Sequence, residues 1–287
     1  VTRSRLSEVF SRCSSEGHAA LVTYLCAGDP DLEASFAHAL ACIEGGADVL
    51  EIGCPFSDPT ADGEAIARAS QRSIANGGGL VQALELARRI RAVSDVPLVL
   101  FGYFNPIFVH GEARTANEAA EAGVDALLVV DLPPEEDQDL RAAVLHHGMG
   151  LVPLVAPTST DARIDGLAAT TPKAPFVYYV SVAGVTGSGR ADLDDASRRA
   201  GDLRARIGSP CTVGFGVSDA AGAKKAATHA DGVVVGTAIV RTIEESVRSG
   251  ASVTEQADRV RTLVRTLADA VHAPRTALHT EGPTGAA

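Results

Sequence analysis

Short runs of apolar residues alternate with longer amphipathic stretches along the whole chain, the pattern of repeated βα units around a parallel sheet. Eight runs stand out, roughly Ala20 to Cys26, Asp48 to Ile52, Pro97 to Phe101, Ala126 to Val130, Gly150 to Val155, Phe176 to Ser181, Cys211 to Gly214 and Gly232 to Val235. Most are hydrophobic almost throughout, as expected of strands covered on both faces. Between them lie helical patterns. Leu80 to Val93 places Leu80, Leu84, Ala87 and Ile90 near helical spacing, and Pro134 to His147 opens with acids that suit a helix N-terminus.

Three of the runs are approached in the same way, through Gly46-Ala47-Asp48, Gly123-Val124-Asp125 and His229-Ala230-Asp231, which points to duplicated βα units. Eight units without an interrupting linker fit a single-domain (β/α)8 barrel over residues 1–273 better than an open doubly wound sheet, and such barrels commonly use about 250 residues. An extra N-terminal helix, Leu6 to Ser15, is expected to cap the barrel bottom. The tail over residues 274–287, with Pro274, Gly282, Pro283 and Gly285, reads as disordered.

Composition narrows the partners. The chain has 287 residues, with 36 acidic against 25 basic side chains and a net charge of −11. Its scattered Lys and Arg argue against nucleic acid or an anionic membrane. Cys13, Cys26, Cys42, Cys54 and Cys211 form no close pair, so free thiols in a reducing compartment are expected. No apolar signal core follows Val1, and no run approaches the roughly 18 apolar residues of a membrane span. A cytoplasmic protein is the expectation.

Candidate chemistry concentrates at Leu50 to Gly63. Strand alternation puts Val49, Glu51 and Gly53 on one side and the bulky Leu50 and Ile52 on the other, so Glu51 faces the barrel mouth. An unpaired carboxylate there is costly to ionise and favours the protonated state a general acid needs. A structural glutamate tied to a neighbouring cation is the plainer alternative. Asp62 either reaches the mouth from the following loop or caps the helix from Glu64 to Ile74, whereas Asp58 before Pro59 reads as an Asx-turn residue.

Glycines end the late strands at Gly184 to Gly187, Gly214-Phe215-Gly216 and Gly236-Thr237. In a barrel these converge where phosphate is commonly bound, with Thr237 opening a helix whose positive end faces the same spot. The segment Val182 to Asp195 is expected to be a mobile lid. Tyr178 and Tyr179 lie on opposite faces of their strand, so one of them points at the mouth. The eight histidines form no ligand-spaced cluster, and no metal is expected.

The stretch Leu50-Glu51-Ile52-Gly53-Cys54-Pro55-Phe56-Ser57-Asp58-Pro59-Thr60-Ala61-Asp62-Gly63 closely resembles the signature of the tryptophan synthase α-subunit family. The likeness extends through Ala27 to Pro30, Tyr103 to Pro106, Asp131 to Glu136, Val155 to Thr158, Tyr178 to Gly187, Gly214 to Ser218 and Val235 to Ala238, in family order. It implies a lyase that splits indole-3-glycerol phosphate into indole and glyceraldehyde 3-phosphate. By the family pattern Glu51 protonates indole C3, Asp62 holds the indole N–H, and Tyr178 lies near the reacting glycerol. Gly187, Phe215, Gly216, Gly236 and Thr237 match the phosphate contacts.

The resemblance also implies a partner, a β subunit in an α-β-β-α complex. Pro55, Phe56, Asp58, Asn105 and Pro106 match the face toward it, and pyridoxal phosphate is expected in that partner alone, with no cofactor in this chain. The sequence departs from the family at Cys26, Glu64, Gly102 and Val130, and Glu64 and Gly102 bear on the coupling to the partner. A stand-alone indole-releasing lyase and a non-catalytic activator of a β subunit are the alternatives. Another phosphosugar isomerase or epimerase leaves the pairing of Glu51 with Asp62 unexplained.

Overall fold

The structure is a computed structural model that describes residues 4–170, 174–180, 192–214 and 216–275. In chain order the elements are α1 (Arg5–Ser15), β1 (Ala20–Cys26), α2 (Leu32–Gly45), β2 (Val49–Gly53), α3 (Glu64–Ala75), α4 (Leu80–Arg91), β3 (Leu98–Gly102), α5 (Phe104–His110), α6 (Glu112–Glu121) and β4 (Ala126–Val129). They continue with α7 (Gln138–His146), β5 (Gly150–Leu151), β6 (Leu154–Val155), α8 (Asp161–Thr170), β7 (Val177–Val180), α9 (Leu193–Ile207), β8 (Cys211–Gly214), α10 (Ala220–Ala226), β9 (Gly232–Val235), α11 (Thr237–Arg248) and α12 (Val253–Val271).

The strands pair in parallel in the order β5-β4-β3-β2-β1-β9-β8-β7-β6. The two ends of that order, β5 and β6, are separated along the chain by Val152 and Pro153 alone. The Val152 N–H donates to the Leu127 carbonyl on one side (2.8 Å), and the Tyr178 N–H donates to the Pro153 carbonyl on the other (3.0 Å). One crossing of chain thus pairs first with β4 and then with β7, which closes the sheet into an eight-position (β/α)8 barrel. The sequence predicts one strand from Gly150 to Val155. It is split because Pro153 has no N–H to give to a ladder.

Alternation along the strands divides the apolar residues into two bodies. Leu21, Leu25, Leu50, Ile52, Leu98 and Leu100 face outward against the helices. Val22, Tyr24, Val49, Val99, Phe101, Leu128, Tyr178 and Val234 fill the barrel interior. The interior is sealed below by α1, whose Leu6, Phe10 and Cys13, spaced four and three residues apart, join the inner body. The Phe10 ring lies 5.4 Å from that of Phe176. The predicted capping helix is therefore present as a plug.

The three aspartates of the repeated approach share one structural task at the barrel bottom. Asp48 accepts the N–H of Leu21, Asp125 that of Leu98 and Asp231 that of Cys211, each at 2.9 Å, so each ties its own strand to the preceding barrel strand. Each is also paired with arginine: Arg12 with Asp48, Arg91 with Asp125, and Arg204 with Asp231. His272 at the end of α12 adds a second partner to Asp48 at 2.7 Å.

Two expected boundaries move. The pattern from Pro134 to His147 becomes helical at Gln138, after a turn in which Glu136 N–H bonds the Pro133 carbonyl. The proposed lid from Val182 to Asp195 gives up its last residues to α9, because the Asp192 side chain accepts the Asp195 N–H and starts the helix at Leu193. Residues 182–191 of that segment lie outside the described residues. So do residues 276–287 of the tail, while Arg275 is tied down, its N–H donating to the Gly17 carbonyl at 2.9 Å.

Burial pushes the Asp48 carboxyl up, but hydrogen bonds from His272 and the Leu21 N–H, with the charge of Arg12, bring it below its usual value. Asp48→Ala is expected to cost about 3 kcal/mol of stability in urea unfolding at neutral pH, because buried donors lose their acceptor. A carboxyl whose folded pKa is depressed stabilises fully above its unfolded pKa, and that stabilisation is lost as pH falls through the folded value. The gap between wild type and variant should therefore close in acid, and a gap that persists there would assign the loss to packing.

Candidate active site

Glu51 is the middle residue of β2, level with Tyr24 on β1 and Val99 on β3 in the ladder. Its side is the inner one, as alternation predicts. Only 1% of the residue is exposed, and Oε1 has no hydrogen-bond partner among the described residues. No cation offsets it, so burial pushes the carboxyl up to about 8. Glu51 is therefore protonated at neutral pH, which removes the reading of a glutamate held by a neighbouring cation.

The loop after β2 returns Asp62 to the same spot. Asp62 does not cap α3, whose N-cap is Gly63 without a side-chain bond. Instead the Tyr103 hydroxyl donates to Asp62 Oδ1 at 3.0 Å and accepts the Ala61 N–H at 3.0 Å. Burial raises the Asp62 carboxyl to about 6, against the lowering effect of that Tyr103 bond. One carboxyl titrates above neutrality and the other below, the separation that lets one act as acid while the other is an anion.

Glu51, Asp62, Tyr178, Gly216, Gly236 and Thr237 line one cavity of about 30 Å³, with Tyr24 and Phe101 as apolar wall. Two glycines make room for its rings. A Cβ on Gly53 would lie 2.2 Å from the Tyr24 hydroxyl, and one on Gly214 would lie 2.2 Å from the Tyr178 ring. Gly214 thus leaves room for the tyrosine ring. Gly216 takes φ +85°, a left-handed backbone that favours glycine. No side chain caps α11 at Gly236, which leaves the N–H groups of its first turn, beginning at Thr237, directed at the mouth.

Larger hollows exist, about 910 Å³ between α1 and the barrel bottom and about 420 Å³ beside the loop after β4. Neither contains an unpartnered carboxyl like Glu51. Among the described residues no group of three His, Cys, Asp or Glu is placed to hold a metal, and no helix is long and apolar enough to cross a membrane. All five cysteines are free thiols, and burial pushes Cys54 up to about 12.

The family description "Tryptophan synthase alpha chain" matches residues 10–272. The chain belongs to the tryptophan synthase alpha chain family. It is 47% identical to the tryptophan synthase alpha chain of Citrifermentans bemidjiense over 253 residues, 88% of this chain and 93% of that one. To the Xanthomonas oryzae pv. oryzae alpha chain it is 46% identical over 244 residues, 84% and 90% of the two chains. Among solved structures, tryptophan synthase subunit alpha of Legionella pneumophila superposes with a TM-score of 0.85 at 30% identity, covering 94% of this chain and 99% of that one. A Mycobacterium tuberculosis tryptophan synthase chain gives 0.81 at 36% identity, covering 94% and 99%.

The alpha-chain residues expected from sequence thus divide into three groups. Glu51, Asp62, Tyr178, Gly216, Gly236 and Thr237 meet in one cavity, while Gly187 and Phe215 lie outside the described residues. Of the partner-facing set, Asp58 and Asn105 are exposed, and Phe56 lies 5.3 Å from the Tyr103 ring. Phe108 and Val109 extend this face, 64% and 77% exposed. Among the positions that depart from the family, Gly102 stands against Cys54, whose Cβ lies 3.2 Å from where a side chain at 102 would begin. Glu64 is exposed at the first turn of α3.

Sequence reasoning gave Tyr103 no role beyond its place in a motif, and it did not single out Tyr24 or Phe101. The alternation that places Glu51 also turns Tyr24 inward, a signal that was there to use. Nothing in the spacing of 62 and 103 brings those residues together. Tyr103→Phe removes a bond that lowers the Asp62 pKa, so that pKa should rise, as read by carboxyl ¹³C titration with Asp62→Asn as the assignment control. An unmoved titration would show that the phenol does not govern this carboxyl.

Proposed function

We propose that this site cleaves indole-3-glycerol phosphate with Glu51 as the proton donor and Asp62 as the indole N–H acceptor. The observation that carries the reading is the buried carboxyl of Glu51 in the cavity at the barrel mouth, its Oε1 without a partner among the described residues and its pKa pushed up by burial to about 8. Protonation at indole C3 turns the ring into an electron sink. The C–C bond to the glycerol chain then breaks, its electron pair returning to the ring, while the carbinol hydroxyl gives up its proton and becomes the aldehyde of glyceraldehyde 3-phosphate. Glu51, now a carboxylate, accepts that proton. Proton transfers alone balance the reaction, and no cofactor is required of this chain.

Asp62 as an anion accepts the indole N–H and offsets the positive charge that develops on that nitrogen. Tyr178, packed over Gly214, borders the reacting carbons. The N-terminus of α11 at Gly236 and Thr237, with Gly216, receives the phosphate, joined by Gly187 and Phe215. A β subunit docks on the face formed by Phe56, Asp58, Asn105 and Pro106, with Pro55 buried beneath it, and the exposed Phe108 and Val109 give that face apolar area to bury. Pyridoxal phosphate belongs to that partner. Glu51 and Asp62 together in one cavity favour this lyase over a non-catalytic activator.

Indole release from indole-3-glycerol phosphate, with and without added β subunit, tests the reading. Glu51→Gln should lower release about a hundredfold or more while sparing substrate affinity, the scale of a lost general acid. Undiminished turnover in that variant would refute the role. The free-enzyme pKa values of about 6 for Asp62 and about 8 for Glu51 give kcat/KM a bell shape. Activity falls in acid as Asp62 takes up its proton and in base as Glu51 loses its own, and a flat basic limb would exclude Glu51 as donor.

A further inference from the structure

We infer that Glu244, with Arg68 and Arg72, holds the two ends of the substrate site at a fixed separation. The inference rests on the functional reading above. Arg68 on α3 donates to both oxygens of Glu244 on α11, from Nε at 2.7 Å and from a terminal nitrogen at 2.9 Å. Arg72, one turn further along α3, donates to Glu244 at 3.1 Å and to both oxygens of Asp29, in the loop after β1, at 2.7 and 2.8 Å. The side chains of Glu244 and Asp29 are only 5% and 1% exposed.

The sequence positions give this network its meaning. Arg68 follows Asp62 by six residues, and Glu244 follows Thr237 by seven, about two helical turns. Both helices point their N-termini at the mouth, α3 behind the carboxylate for the indole and α11 behind the phosphate. The ion pairs therefore tie together the two supports that grip opposite ends of one substrate. The buried apolar residues that the two helices give to the barrel-interior body are Ala65, Ile66, Ala69 and Val240, whose contacts are non-directional. A bidentate arginine–carboxylate pair fixes register, and buried pairs of this kind add little net stability, which makes positioning the better account of two buried carboxylates.

The expected signature is a split between the whole substrate and its parts. In Glu244→Gln, kcat/KM for indole-3-glycerol phosphate should fall about tenfold to a hundredfold, the cost of misplacing reacting groups by about 1 Å, while inorganic phosphate and indole each bind within about twofold of wild type. Arg68→Met, which leaves Arg72 on Glu244, should give the same split with a smaller loss, and it serves if Glu244→Gln does not fold. A loss of turnover matched by equal losses in phosphate or indole affinity would overturn the inference alone, as would unchanged turnover in both folded variants. A wild-type protein that forms no indole would overturn the functional reading and this inference with it.

Discussion

A closed barrel has an inside that must be filled, and this constraint shapes the site. Every second strand residue points inward, and most are apolar and packed against α1 from below. Glu51 occupies one of these inward positions without a partner for Oε1. Ionising it there would leave an uncompensated charge in an apolar surrounding, so the fold retains the proton instead. The same crowding explains the glycines at the mouth. Gly53 and Gly214 give up their side chains so that Tyr24 and Tyr178 can close over the carboxyl.

Asp48 and Glu51 show how strongly position along one strand decides a carboxyl's behaviour. Asp48 immediately precedes β2, and Glu51, three residues on, is the middle residue of that strand. Asp48 receives a backbone N–H, an arginine and a histidine, and titrates below its usual value. Glu51 receives none of these and is raised to about 8. The barrel bottom gives the Asp48 carboxyl its partners and draws stability from them, and the mouth leaves Glu51 Oε1 without one among the described residues. Asp125 and Asp231 repeat the satisfied arrangement around the lower rim, which is why the repeated approach to the strands is visible in sequence at all.

What was legible followed from periodicity. Eight apolar runs gave the barrel, and alternation in one of them gave the direction of Glu51, while in another it left Tyr178 and Tyr179 on opposite faces and the family resemblance chose between them. Interruptions to regular pairing were harder. Pro153 sits within an apolar run whose hydrophobicity is continuous, so the split shows only when its missing N–H is set against both neighbouring strands. Asp192 within a glycine-rich stretch did not announce a cap. Contacts over long separations left no local trace: Tyr103 to Asp62, and Arg68 and Arg72 to Glu244, join residues whose proximity exists only once the barrel has closed.

Tyr103 then connects chemistry to surface. Its hydroxyl touches Asp62 and the Ala61 backbone, its ring packs on Phe56, and it immediately precedes α5, which carries Asn105, Pro106 and the exposed Phe108. The loop after β2 and the helix after β3 are thereby one connected unit, with the Asp62 carboxyl at its inner end and apolar side chains at its outer end. An aromatic contact and two hydrogen bonds join the outer end to Asp62, whereas Glu51 is carried on a strand paired on both sides. Of the two carboxyls, Asp62 is the one that a change at this surface can move, and Glu51 is the one the barrel holds still.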